Sequence, residues 1–413
     1  MINTPHIHTR LGHPDFVDLD WATPISEWTH DRLVEMPKGI HRHPVVFVAY
    51  SEGVYAIKEM PLHLARHEFN VLRSMEDATR HTARAVGSVE RPWVPRDREW
   101  SGAVITAYVP HAFPYRDLVS GHGFGNQRDA LLDAFAGLLV ELHLNGLYWG
   151  DCSLSNTLYR WDASLIEAIM IDAETSRVYS RMSRGQRLED LEIMEMNVAG
   201  EMADIAVEQG GDLDDADLTL GNDIAARYHG LWKELTTSLI VTAGDHYRIR
   251  ERITRLNDLG FAIDDINLIP VDDGANVKIR VKVGGRHHHS QRLRQIAGID
   301  ASENQAQVIL SDLNYHEVKF GRMSKTGKAV AAIKWRSAIF EPLMLKIVDD
   351  LPDQDALQAY SDFLGFRLEE AKRQMRDIPN SEAYDSWQAA GFPGFKSSAV
   401  KPTRASQASL GDG

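Results

Sequence analysis

Cysteine is almost absent: Cys152 is the single one in 413 residues. One thiol excludes an internal disulfide and offers no zinc-ligand spacing, which suits a reducing cytoplasm. It stands beside Asp151, but no histidine accompanies it in that loop, so it reads as a small filler rather than a nucleophile. Long apolar runs are missing as well. Leu131 to Leu147 is interrupted by Asp133, Glu141, His143 and Asn145, short of the ~20 residues a membrane span needs. Met1 to Arg10 lacks the apolar core of a signal peptide. The expectation is a soluble, cytoplasmic chain without membrane insertion. Positive charge is in deficit, with 45 Lys and Arg against 59 Asp and Glu and a formal net charge of −14. That argues against wholesale nucleic-acid binding, since a polyanion wants a basic footprint. No internal repeat is found, and the length leaves room for two or three domains around an ample core.

What is present centres on one loop. Asp129 to Leu142 places Leu131, Leu132, Phe135, Leu138, Leu139 and Leu142 at helical spacing, and Asn145-Gly146 supplies the stop. A polar loop follows, with Asp151 and, five residues on, Asn156. Behind it comes a hairpin. Thr157 to Arg160 is one arm, Trp161-Asp162-Ala163-Ser164 the turn, and Leu165 to Ile171 the apolar return arm, with Asp172 at its end. This brings Asp151, Asn156 and Asp172 to one place. Two carboxylates and an amide at one point are what Mg2+-dependent phosphoryl transfer needs.

Leu142-His143 through Gly146 to Asp151 and Asn156 resembles the catalytic loop of the protein-kinase-like fold. The Asp-x-x-x-x-Asn spacing is kept, and Ile171-Asp172-Ala173-Glu174 stands where that fold carries its metal-binding aspartate. The Gly150-Asp151 pair and the Ile-Asp-x-Glu form are closer to small-molecule and lipopolysaccharide-core kinases. With its downstream segments, the whole chain resembles an uncharacterised actinobacterial family, a domain of unknown function of lipopolysaccharide-kinase-like character. The resemblance implies an α+β, bilobal protein-kinase-like fold with a β-rich N-lobe and a mainly helical C-lobe. It also implies ATP and Mg2+ as cofactors and a small-molecule or sugar acceptor. Asp151 would orient the acceptor hydroxyl and take its proton. Asn156 and Asp172 would hold Mg2+, with Glu174 a weaker candidate for a second ion. Lys58, ending the strand Val54 to Lys58, would reach the nucleotide phosphates. Glu68, on the helix after Pro61-Leu62-His63, would restrain it. Glu59 would point to the opposite strand face. Tyr108 and its neighbours would lie by the adenine, and Ser153 would contact phosphate or metal, or cap the loop.

No Gly-x-Gly-x-x-Gly lies between the first strands, Leu33 to Met36 and Val45 to Tyr50. The turn instead carries Lys38, His41, Arg42 and His43, side-chain cations able to clamp phosphate; Arg42 is the chosen contact. Met1 to about Thr29 reads as an irregular arm. Ser183 to Glu192 reads as a solvent-facing helix start, with Arg184, Gln186 and Asp190 as alternative loop anchors. The division expected is N-lobe 1–110, C-lobe 111–225, a small α+β module 226–320, a helical segment 321–390 and a disordered tail 391–413. Arg248, Arg250, Arg252, Arg255, Arg286, Arg292 and Arg294 make the module locally basic. That basic face fits docking onto the acidic Glu189–Asp223 segment, or an adaptor whose module binds nucleic acid. The missing glycine loop and the appended module leave a nucleotide-binding regulator without turnover as the other alternative to a kinase.

Overall fold

The computed structural model describes residues 4–36, 42–117, 127–209, 218–242, 246–271, 276–319 and 325–395. The architecture is mixed α and β. It opens with an antiparallel six-stranded sheet in the order β1-β5-β6-β4-β3-β2. Its strands are β1 His6–Thr9, β2 Leu33–Val34, β3 Val45–Tyr50, β4 Gly53–Met60, β5 Ala85–Glu90 and β6 Gly102–Ala107, with helix α1 Leu62–Met75 after β4. Alternation along the strands gives the sheet two apolar faces. Tyr55, Ile57, Ala103 and Ile105 meet Phe16, Leu19, Trp21, Ile25 and Trp28 of the N-terminal arm. Met60 and Val104 face the other way and pack with Ala65, Phe69 and Leu72 of α1. Each large side chain so buried contributes roughly 1.5–3 kcal/mol.

The arm is less irregular than its sequence suggests. His6–Thr9 pairs with β5, His6 opposite Glu90 and Thr9 opposite Gly87. His-Ile-His-Thr carries no apolar alternation, and its pairing partner is remote in sequence, so nothing local announces the strand. Glu59 shares the face of Ile57. Its carboxylate accepts from the Ile25 amide at 3.2 Å and lies 2.7 Å from Arg91, away from Lys58.

The helical part is built on α2 Arg128–Leu144, and β7 Ala112–Pro114 with the hairpin β9 Thr157–Asp162 and β10 Leu165–Met170 completes a small sheet. The hairpin turn is tighter than expected: Asp162 pairs with Leu165, leaving Ala163-Ser164 as the loop, and Ala163 takes a left-handed φ of 54°. Strand β8 Leu147–Tyr148 pairs with β11 Arg177–Val178, and α3 Arg184–Gln209 and the helix Leu220–Thr236 follow.

Strands β12 Leu239–Thr242, β13 Phe261–Val271 and β14 Asn276–Arg286 form a further sheet. Leu256 and Phe261 sit in the same core as α2. The Arg286 amide donates to Glu141 on that helix at 3.1 Å. Arg252 and Arg255 are both drawn to Glu234, at 3.0 and 3.5 Å, which uses part of the basic series internally. The side chains of Arg248 and Arg250 lie outside the described residues. The helices from Glu303 to Ala389 share a second core around Trp335, Tyr360, Phe363, Tyr384 and Trp387. Among the described residues, no helix is long and apolar enough to cross a membrane.

Candidate functional site

Period-two alternation on β4 turns Lys58 away from the arm and toward α1. Its ammonium lies 2.8 Å from Glu68, 2.8 Å from Asp172 and 3.9 Å from Glu174. The Glu68 side chain is 1% exposed, so the lysine is gripped from inside the fold by a helix and from the other side by Asp172 just past β10. Burial works against the ammonium, but the charges of Glu68 and Asp172 outweigh it and hold Lys58 above the ordinary lysine range. Glu68 responds differently. Burial pushes its carboxyl up to about 7 despite Lys58, because Asp172 and Glu174 add like charge. One oxygen each of Glu68, Asp172 and Glu174 fall within 4.8 Å of one another.

The turn before β3 reaches this cluster through His43. Its Nε2 lies 3.1 Å from Glu174 and its Nδ1 3.2 Å from Glu99. The Glu174 contact raises His43 against burial, and the same contact lowers Glu174. Arg42 is exposed and acts on Glu174 only through its field. Lys38 and His41 lie outside the described residues.

Helix α2 delivers the loop. Gly146 at its end has φ 84°, and a Cβ there would stand 2.0 Å from the Tyr179 carbonyl, so only glycine fits. Beyond it the loop is strapped to α3. Asp190, fully buried, accepts from the amides of Trp149 at 2.7 Å and Gly150 at 2.8 Å. Its carboxylate also meets His143 Nε2 at 3.0 Å, while Tyr228 lies 2.8 Å from His143 Nδ1. Burial lowers that imidazole. Glu201 accepts from Leu154 at 2.9 Å and Ser155 at 2.8 Å. The solvent-facing reading of this helix start is thus wrong for Asp190. Gln186 and Ser183 bond each other reciprocally, amide to side chain, at 2.8 and 3.2 Å, closing the turn that begins α3.

Between these straps sits Asp151. Asn156 Nδ2 donates to its carbonyl and to its Oδ2, both at 3.1 Å. Asn197 Nδ2 donates to its Oδ1 at 2.8 Å. The end of β10 is tied to the same loop. Ile171 donates its amide to the Asn156 carbonyl at 3.1 Å, and Trp149 Nε1 donates to the Asp172 carbonyl at 3.0 Å. Lys58, Glu68 and Asp172 therefore come together, and the Asp151–Asn156 loop is fastened beside them through the backbone at Ile171 and through Trp149. Ser153 is buried and its hydroxyl accepts from the Asn156 amide at 3.1 Å, a loop-capping contact. Tyr108 donates its amide to Val54 at 3.0 Å and sets its ring edge-on to Phe47, while the Ala107 amide goes to Arg84 at 3.0 Å. Those two amides are thus held within the sheet.

Sequence reasoning missed Asn197, Glu201 and the His43–Glu174 contact. A faint signal existed. Asp190, Asn197 and Glu201 fall at i, i+7 and i+11, one face of a helix, beside the buried Met194, Val198 and Met202.

Residues 230–391 match a family model described as Domain of unknown function (DUF4032). The match supports a domain-of-unknown-function family over that part alone, less than half of the chain, and it begins beyond Lys58, Glu68, Asp151, Asn156 and Asp172. No curated protein matches. Among solved structures, the chain is similar to one described as "WaaP in complex with acyl carrier protein", at 15% identity and a TM-score of 0.33, over 56% of this chain and 89% of that one. It is also similar to "Crystal structure of aminoglycoside-3'-phosphotransferase of type VIII", at 14% identity and a TM-score of 0.30, over 47% and 93%. Likenesses of this size fix no activity.

Proposed function

We propose that the chain is an ATP- and Mg2+-dependent phosphotransferase of bilobal protein-kinase-like fold, moving the γ-phosphoryl group to a hydroxyl of a small molecule or cell-envelope sugar. One observation carries the reading. Lys58 is held between Glu68 and Asp172 while the Asp151–Asn156 loop is fastened to the same strand end. In this reading 1–110 and 111–225 are the two lobes. Lys58, already ordered by its carboxylates, offers an ammonium to the nucleotide phosphates at little further entropic cost. Asp151 accepts the acceptor's proton as its oxygen attacks.

The residues present suit a hard cation. Asp172 and Glu174 offer carboxylate oxygens. Asn156 spends its Nδ2 on Asp151, and among the described residues its amide oxygen takes no hydrogen bond. An all-oxygen set favours Mg2+ over softer ions. When bound, Mg2+ would offset charge developing on the phosphate oxygens.

The test is thermal shift with ATP, with and without Mg2+, alongside phosphotransfer. Asp172→Ala should lose the Mg2+-dependent stabilisation by ATP, whereas Asp151→Ala should keep it and lose transfer. Full transfer in both variants would overturn the assignment. A second reading, a nucleotide-binding regulator without turnover, draws on the His43–Glu174 contact where a glycine loop is expected. Robust ATP turnover by the purified chain excludes it.

A further inference from the structure

We infer that Asn197 is a positioning residue for the Asp151 carboxylate, acting on the reaction through that acid. The inference deepens the phosphotransferase reading and rests on it. Each oxygen of Asp151 takes one amide N–H, Oδ1 from Asn197 at 2.8 Å and Oδ2 from Asn156 at 3.1 Å. Asn197 Nδ2 is spent twice, for it also donates to the Cys152 carbonyl at 3.1 Å. Both partners are pure acceptors, so the amide has one permitted orientation. Turned over, it would set its oxygen against two others.

The helix that holds Asn197 is itself fixed to the loop on both sides of it. Asp190 takes the amides of Trp149 and Gly150, and Glu201 those of Leu154 and Ser155. Those straps set the backbone of the loop. They do not set the rotation of the Asp151 side chain; Asn197 does so together with Asn156. With one donor on each oxygen, the carboxylate plane is fixed and its remaining lone pairs are left for the acceptor's proton. In the transfer, the acceptor O–H bond breaks and its proton passes to Asp151. The freed oxygen pair bonds phosphorus, and the bond from phosphorus to the leaving diphosphate oxygen breaks with its electrons. A base that swings away from that line loses rate, not nucleotide affinity. Misplacement on the scale of an ångström costs up to about a hundredfold.

The experiment compares Asn197→Ala and Asn197→Asp with the unaltered full chain, measuring ATP turnover with Mg2+ and water as acceptor, KM for ATP, and the thermal shift given by ATP and Mg2+. Both variants should lose roughly tenfold to a hundredfold in kcat, with KM for ATP and the thermal shift unchanged. Asn197→Asp is the sharper variant. It keeps the size and packing of the side chain but replaces the donor by an acceptor facing Asp151. A purely structural Asn197 would tolerate aspartate better than alanine, and any loss of kcat would bring a matching loss of the ATP shift; either result overturns the inference alone. No turnover in the unaltered chain overturns the phosphotransferase reading, and the inference falls with it.

Discussion

Two clusters of buried charge border the same core, and they are settled in opposite ways. Behind the hairpin, His81 stands between two carboxylates, its Nδ1 2.7 Å from Glu141 and its Nε2 3.4 Å from Glu167. Arg160 Nε donates to Glu167 at 2.6 Å, and Ser302 donates to the same oxygen at 3.1 Å. Glu141 and Glu167 meet His81 and Arg160, with Asp162 beside Glu167 held by helix amides. Burial alone would lower His81, but Glu141 and Glu167 outweigh it and raise it to about 10. Burial likewise opposes ionisation of Glu141 and Glu167, and their cationic neighbours still bring each down to about 2. Around Lys58, three carboxylates face that ammonium and His43, and Glu68 is left pushed up to about 7. Balanced charge in a closed interior is a structural joint. A surplus of negative charge around a buried lysine is, in the proposed reading, where a cation and a phosphate would sit.

The largest effect that can break this contrast is on turnover. Asp172→Ala should cut ATP turnover by roughly a thousandfold. In the same variant the urea midpoint should hold or rise, because one of three crowded carboxylates is gone. If its unfolding free energy falls as far as that of a Glu141 variant, the cleft is a second structural joint and the contrast fails.

The next effect is on stability. Glu141→Gln removes the principal partner of a buried histidine and should cost roughly 3–5 kcal/mol in urea unfolding, leaving the ATP-induced thermal shift in place. The pH dependence follows from the same pair. Glu141 lies below its ordinary value in the folded chain, so its contribution is present above pH 4.5 and is lost as pH falls toward about 2. His81 lies above its ordinary value, so its contribution is full below pH 6.5 and is lost as pH rises toward about 10. Urea midpoints measured from pH 4 to 10 should show the alkaline decline in the unaltered chain and a shallower one in Glu141→Gln. An equal decline in both would detach His81 from Glu141.

The two clusters were unequally legible in the sequence. Lys58, Glu68 and Asp172 follow from the kinase resemblance, whose order of strand, helix, loop and hairpin the chain keeps, and alternation along β4 excludes Glu59 without any structure. The joint behind the hairpin leaves no such trace. His81, Glu141 and Glu167 come from a loop, a helix and a strand, and only packing reveals that they share one interior. In sequence, Glu141 is merely a break in an apolar run. Asp190, Asn197 and Glu201 escaped for a related reason, since a polar residue on a helix looks solvated until its partner is known. The strand His6–Thr9 shows the limit for sheets, because an edge strand is defined by the neighbour that accepts it.

The smallest effect sharpens the contrast most finely, because it lies where the balanced joint meets the C-terminal helices. Asp162 ends β9 and accepts from the amides of Asn304 at 2.9 Å and Gln305 at 2.7 Å, and from Asn304 Nδ2 at 2.8 Å. It thus caps the start of the helix Glu303–Lys319, a role that normally favours a carboxylate. Burial and the nearby Glu167 nevertheless push its carboxyl up to about 6. Asp162→Ala, which loses every cap contact, should therefore cost about 1–2 kcal/mol in urea unfolding. Asp162→Asn, which keeps one acceptor oxygen and removes the like charge but sets an NH2 against one of the N–H donors, should still cost less than alanine. The register puts Asp162 at the turn of the hairpin and Met170, two residues before Asp172, at its open end. A loosened turn should leave the cleft untouched, so both variants should retain the ATP and Mg2+ thermal shift. Loss of that shift in Asp162→Ala would mean that the C-terminal helices act on the cleft through the hairpin, and that the two clusters are coupled rather than merely adjacent.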